Sequence, residues 1–161
     1  MAQGIDVTVA AIVEESGKFL VVEERASGGK LVINQPAGHL EQGESLLNAV
    51  IREAFEETGY RFLPSHLVGF YLWRSEDAGL TYFRVAFCGT AEPPRGPVSL
   101  DEGIVATHWL TRADLLRRQH QLRSPMVMRC FEDYLAGRRY TLDCLNHLDP
   151  HTLSLSLAAH A

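Results

Sequence analysis

Glu53, Glu56 and Glu57 stand at i, i+3 and i+4 in a stretch that carries helix signals at both ends. That spacing gathers the carboxylates on one helix face. Ser45 is an N-cap residue type, and Glu44 before it places negative charge near the positive end of the helix macrodipole. Gly59 tolerates the left-handed conformation that ends a helix, so the spacing predicts a helix to about Thr58. Leu47, Val50, Ile51 and Ala54 form a separate apolar stripe. One face docks in a core while the other points at a ligand. Like charges at these spacings destabilise a helix by about 0.2–0.5 kcal/mol per pair, which calls for a compensating cation. Arg52 offers one charge at the wrong angle to neutralise all three carboxylates. A hard divalent ion suits an all-carboxylate site, and Mg²⁺ commonly shares its shell with water and substrate phosphates. A solvated acidic face is the plainer alternative, and composition alone favours it.

The chemistry open to such a cluster is metal-assisted hydrolysis, because no Ser, Cys or Lys lies in an identifiable activating motif. Phosphorus is the expected electrophile, and a carboxylate with a free oxygen can take the proton of the attacking water. Arg84 and Arg123 are the candidates for phosphate not held by metal, since guanidinium fits phosphate in a bidentate way. Surface salt bridging is the equal alternative for both. Tyr71, Trp73 and Phe83 are candidates for a wall that stacks on a heteroaromatic ring. Tyr71 and Trp73 share a strand face, which serves a core as readily as a pocket.

The elements that must position these residues follow in chain order. Ile5 to Val13 and Lys18 to Glu23 are predicted strands joined by a hairpin turn over 14–17, which opens the fold with an antiparallel pair. Ala26 to Lys30 is a flexible loop, and Leu31 to Gln35 a short strand that Pro36 halts. The acidic helix comes next. Phe62 to Trp73 and Leu80 to Thr90 are two strands around a turn at 75–79, and the Pro-rich stretch 92–97 is a surface loop. An acidic loop at Asp101 and Glu102 runs into an apolar strand ending near Leu110. Thr111 caps a helix of about Ala113 to Gln119, and Pro125 starts another that runs to Ala136 and is stopped by Gly137. A short extended segment spans 138–143, and the remainder to Ala161 carries no motif.

A chain of 161 residues that is 46% hydrophobic, 22% charged and 9% aromatic is expected to form one domain with a substantial core. A net charge of −5 gives no footprint for nucleic-acid polymers or membrane surfaces. The first residues lack a charged n-region followed by an apolar h-region, and no stretch has transmembrane length, so the cytoplasm is the expected location. Cys88, Cys130 and Cys144 form no CxxC pair and are expected to be buried free thiols. His39 is the one histidine placed near the acidic cluster, and an exposed loop position is expected for it.

The spacing of Gly38, five residues, Glu44, seven residues and then the run Arg52 to Tyr60 resembles the Nudix box in full. Ala54 stands where the family usually has a larger aliphatic residue, a departure that touches packing and not chemistry. The resemblance implies an α/β (α+β) fold with a mixed β-sheet sandwiched between α-helices, a Nudix hydrolase domain over 3–137, and a C-terminal tail over 138–161 that packs on the domain or a partner chain. It assigns Glu53, Glu56 and Glu57 to metal, adds the Gly38 carbonyl to that shell, and has Glu44 with Arg52 brace the loop against the helix. Similar segments in that family carry a further glutamate outside the box that reaches the metals, for which Glu102 is the choice and Asp101 the substitute. Glu56 and Glu102 are the first residues to test as general base.

The stretches Asn34 to Glu41, Leu122 to Pro125 and Gly137 to Tyr140 resemble the NudJ-type phosphatases of the same superfamily. That likeness implies Mg²⁺ as cofactor, with Mn²⁺ as alternative. It also implies small di- and triphosphates as substrates, namely nucleoside tri- and diphosphates and thiamine-type diphosphates, acted on by a monomer or homodimer. Hydrolysis of ADP-ribose or dinucleotide polyphosphates, and a non-catalytic ligand-binding module, are the alternatives. An isomerase of allylic diphosphates is a weaker third, since no cysteine lies in an active-site motif.

Overall fold

A computed structural model of the chain describes residues 4–148. The tail expected over 138–161 therefore falls outside the described residues from position 149 onward.

The sheet is built on strand β1 (Ile5–Glu15), whose residues from Val9 to Ile12 are wholly buried on both faces. Strand β2 (Lys18–Arg25) follows through Ser16 and Gly17, both at positive φ, as a two-residue hairpin turn requires. The expected antiparallel pair forms only at its base, where Glu14 faces Phe19 and Glu15 faces Lys18. Beyond that the strands diverge and each finds other partners. Strand β2 pairs with β3 (Leu31–Asn34) and β7 (Ile104–Thr111). Strand β1 runs antiparallel to a three-residue strand β4 (Ala37–His39), which the sequence did not announce. On its other side β1 runs parallel to β6 (Leu80–Glu92), and β6 pairs antiparallel with β5 (Arg61–Ser75). The result is a mixed seven-stranded sheet.

Helix α1 (Leu46–Thr58) covers one face. The Ser45 hydroxyl accepts the Asn48 amide at 3.1 Å, and Gly59 closes the helix at φ 74°. Ala49, Val50 and Ala54 pack on Val9, Ala11, Val85 and Phe87, with Leu47 and Ile51 at the margin. A side chain at Gly59 would be strained by its φ and would also meet Val98 at 2.6 Å. Small size there lets the loop after β6 lie against the helix end.

Helices α2 (Arg112–Arg117) and α3 (Pro125–Leu135) lie on the other face, giving the expected sandwich. Thr111 and Asp114 form a capping box at α2, which is shorter than expected and passes into a 3₁₀ turn over Gln119–Gln121. Leu115, Val127, Cys130 and Phe131 meet Ala10, Ile12, Phe19 and Ala86 in the second core. The packing does not stop at 137. Tyr140 exchanges backbone hydrogen bonds with Leu67 at 2.8 and 2.9 Å, and Leu142 and Leu145 pack against the α1-side core. Cys88 and Cys130 are buried as expected, whereas Cys144 is exposed, because its 3₁₀ turn (Leu142–Cys144) lies on the surface. Among the described residues no helix is long and apolar enough to cross a membrane.

Candidate active site

Two acidic side chains of α1 turn inward. Glu53 and Glu57 are 8% and 7% exposed, while Glu56, about one turn after Glu53 and next to Glu57, stays partly open. Glu53 reaches past the edge of the sheet because β4 offers no side chain at Gly38. A Cβ built there would lie 2.1 Å from the Glu53 carboxyl carbon. Glu57 is anchored next to it, its Oε2 accepting the Ala37 amide at 2.8 Å. The short pairing of β4 with β1 thus fixes where both carboxylates sit.

Arg52 ties this cluster to the preceding loop. Its Nε and Nη2 donate to the two oxygens of Glu44 at 2.8 and 3.0 Å, and Nη2 also donates to the His39 carbonyl at 3.0 Å. Its Nη1 donates to Glu53 at 2.8 Å and Glu56 at 2.9 Å. The guanidinium therefore reaches two of the three helix carboxylates and does not bond Glu57. The Arg52 bond holds the Glu44 carboxyl below its usual range, and the acidic partners raise Arg52. Desolvation raises Glu53, against the opposing pull of Arg52. Burial pushes Glu57 up to about 9, helped by repulsion from Glu24, Glu53 and Asp101, although the Ala37 hydrogen bond acts the other way.

These groups line one end of a cleft of about 780 Å³. Asp101 enters it, and Glu102 does not. The reason lies in the backbone: the Asp101 amide donates to the Glu56 carbonyl at 3.0 Å, and the turn from Asp101 to Ile104 leaves Glu102 at an exposed corner. Of the two candidates for the outlying carboxylate, Glu102 and its substitute Asp101, only Asp101 lines the cleft. A carboxylate that the sequence did not single out, Glu24 of β2, also lines the cleft, accepting from Asn34 at 3.1 Å and pairing with Arg123 at 3.4 Å. Nothing in a strand's alternation marks such a residue, since its place depends on β2 leaving β1.

Arg84 and Arg123 both line the cleft, so the structure brings together the two cations picked from sequence. Of the three aromatic candidates, only Trp73 does. It stacks at 5.8 Å on Tyr82, its cross-strand neighbour, which also lines the cleft. Tyr71 shares the face of Trp73 but is capped by α3: its hydroxyl donates to Asp133 at 3.1 Å. Phe83 stacks at 5.8 Å on Phe70 and packs toward the α1-side core. Tyr71 and Phe83 thus lie outside this cleft, where Tyr82 stands beside Trp73. His39 lies at the rim, 3.5 Å from Asp6.

The donor set fits a hard divalent cation. Glu53 and Glu57 are buried carboxylates that repel each other and Asp101, and carboxylate oxygens are the donors such an ion prefers. Among the described residues no three acidic, histidine or cysteine side chains already stand in a chelating arrangement, and Arg52 supplies the positive charge.

A family model described as NUDIX domain matches residues 3–130. Phosphatase NudJ of Escherichia coli strain K12 is 38% identical over 139 residues, which span 86% of this chain and 89% of that protein. Phosphatase NudJ of Shigella boydii is similar to the same extent, 38% over 139 residues. Among solved structures, a NUDIX hydrolase from Nitrosomonas europaea is 45% identical with a TM-score of 0.89, covering 91% of this chain and 99% of that one.

Proposed function

Because this chain belongs to the NUDIX family and is a hydrolase of that family, we propose that it is a Mg²⁺-dependent phosphatase of small di- and triphosphates, with NudJ-type substrates: nucleoside tri- and diphosphates and thiamine-type diphosphates. The observation that carries this reading is the polarity of one cleft. Carboxylates of Glu53, Glu56, Glu57 and Asp101 line it together with the guanidinium groups of Arg84 and Arg123. A molecule that is both metal-chelating and anionic matches that pairing, and a diphosphate is such a molecule.

In this reading Glu53, Glu57 and Asp101, with Glu56 and the Gly38 carbonyl, hold the cation. The chemistry supplied by bound Mg²⁺, or Mn²⁺, is neutralisation of phosphate oxygens and a lowered pKa for the attacking water. Glu56 is the proposed acceptor of the water's proton, since it is the most open of the three helix carboxylates and Arg52 orients it through Oε2. Arg52 and Glu44 position, by keeping the loop from Gly38 to Glu44 against the helix. Trp73 and Tyr82 offer a flat wall for the ring of a nucleobase or pyrimidine.

The test is a release assay for phosphate and pyrophosphate over nucleotides, thiamine diphosphate, dinucleotide polyphosphates and ADP-ribose, with and without Mg²⁺. Phosphate release from nucleotides and thiamine diphosphate supports the reading. A preference for ADP-ribose or dinucleotides keeps the reaction class and replaces the substrate. No release from any of them favours a ligand-binding module.

A further inference from the structure

Among the described residues, three buried side-chain atoms lack a hydrogen-bond partner: Thr8 Oγ1, Arg84 Nε and Ser124 Oγ. They come from β1, β6 and the residue before α3, far apart in sequence, yet all three residues line the same cleft. The residues are 5%, 5% and 7% exposed. Buried polar groups in folded proteins are almost always paired, so three orphans in one place require an explanation.

Thr8 and Arg84 are cross-strand neighbours, and they share a sheet face. Arg84 Nη1 donates to Gln35 Oε1 at 2.9 Å and to Asn34 Oδ1 at 3.4 Å. Gln35 is locked in turn by the Val127 carbonyl at 2.8 Å. Two neutral amides thus orient the guanidinium beside the buried Cys130 thiol, and among the described residues no carboxylate is hydrogen-bonded to it. Ser124 precedes α3 as its N-cap but makes no capping bond, unlike Ser45 and Thr111 at their helices. Its hydroxyl is left beside the positive end of the α3 dipole. A buried guanidinium without a bonded anion is costly.

We propose that Thr8 Oγ1, Arg84 Nε and Ser124 Oγ form an oxyanion subsite in the cleft, which receives a terminal phosphate group of the ligand. The low exposure of all three residues puts the subsite at the floor of the cleft. A phosphate that ends the molecule fits it, and one esterified on both sides would drive a further substituent into the wall. This proposal rests on the phosphohydrolase reading for its biological ligand. Its physical content, a site for a free oxyanion, does not depend on turnover.

The probe is inorganic phosphate, titrated calorimetrically into the metal-free full-length protein. Wild type is expected to bind it, and Arg84→Gln and Ser124→Ala each to weaken binding about tenfold or more. Ser124→Ala deletes one buried oxygen and leaves the fold intact, so it serves if Arg84→Gln unfolds. Glu57→Gln, at the acidic end, is expected to keep phosphate binding while losing turnover. Equal phosphate affinity in wild type, Ser124→Ala and a folded Arg84 variant overturns the subsite, as does failure of wild type to bind phosphate. Absence of turnover on every substrate with phosphate binding intact overturns the hydrolase reading and leaves the subsite standing.

Discussion

At the scale of residues, one guanidinium organises the acidic end. Arg52 satisfies Glu44, Glu53 and Glu56 at once, and Glu57 alone carries its burial without a bonded cation. That difference has a pH consequence for the metal-free protein. Burial pushes the Glu57 carboxyl up from its ordinary value of 4.5 to about 9 in the folded chain. The folded state keeps a proton that the unfolded chain has released, so stability falls as pH rises between those values. Denaturation midpoints measured with chelator from pH 5 to 9 should decline, and Glu57→Gln should flatten that decline. The outlying carboxylate gives a second contrast. Asp101→Asn is expected to lower Mg²⁺-dependent turnover by about ten- to a hundredfold, whereas Glu102→Gln should leave it near wild type. Loss of turnover in Glu102→Gln with Asp101→Asn near wild type in steady-state assays would assign the role to Glu102. The sequence showed the acidic residues but could not choose between these neighbours. The choice is made by one backbone hydrogen bond, Asp101 to the Glu56 carbonyl, which has no signature in residue type.

At the scale of elements, β4 and α1 make the site together. The helix was legible from its ends: Ser45 caps it, Gly59 stops it, and the apolar stripe docks where expected. Strand β4 was not, because three residues give no periodicity, and its existence depends on β1 having a free edge once β2 turns away. Gly38 is where the two meet. Gly38→Ala would place a methyl in the Glu53 carboxylate and displace it. Overpacking of this kind costs about 1–3 kcal/mol. The expected outcome is a lower melting temperature together with weaker Mg²⁺ binding by calorimetry, and unchanged Mg²⁺ affinity would show that Glu53 is not held by that contact. The aromatic wall illustrates the same limit. Trp73 and Tyr71 alternate correctly on one face, but which of them α3 covers, and that Tyr82 stands across from Trp73, are matters of register and docking.

At the scale of the whole molecule, the sheet separates two tasks. Its α1 face carries a compact apolar core, and Glu53 and Glu57 escape that core only at the β4 edge. The opposite face, between β1, β3, β6 and α3, carries the cleft with Arg84, Thr8 and Ser124. A diphosphate bridging the two would touch metal-binding groups at one end and guanidinium at the other. The general layout followed from composition and the order of elements, while the subsite did not, since its atoms come from positions 8, 84 and 124. The most direct test of the central claim is phosphate release by wild type and Glu57→Gln, with and without Mg²⁺, the fold of each checked by circular dichroism. The account expects Mg²⁺-dependent release from wild type and its loss in a folded Glu57→Gln protein; unchanged turnover in that variant would contradict it.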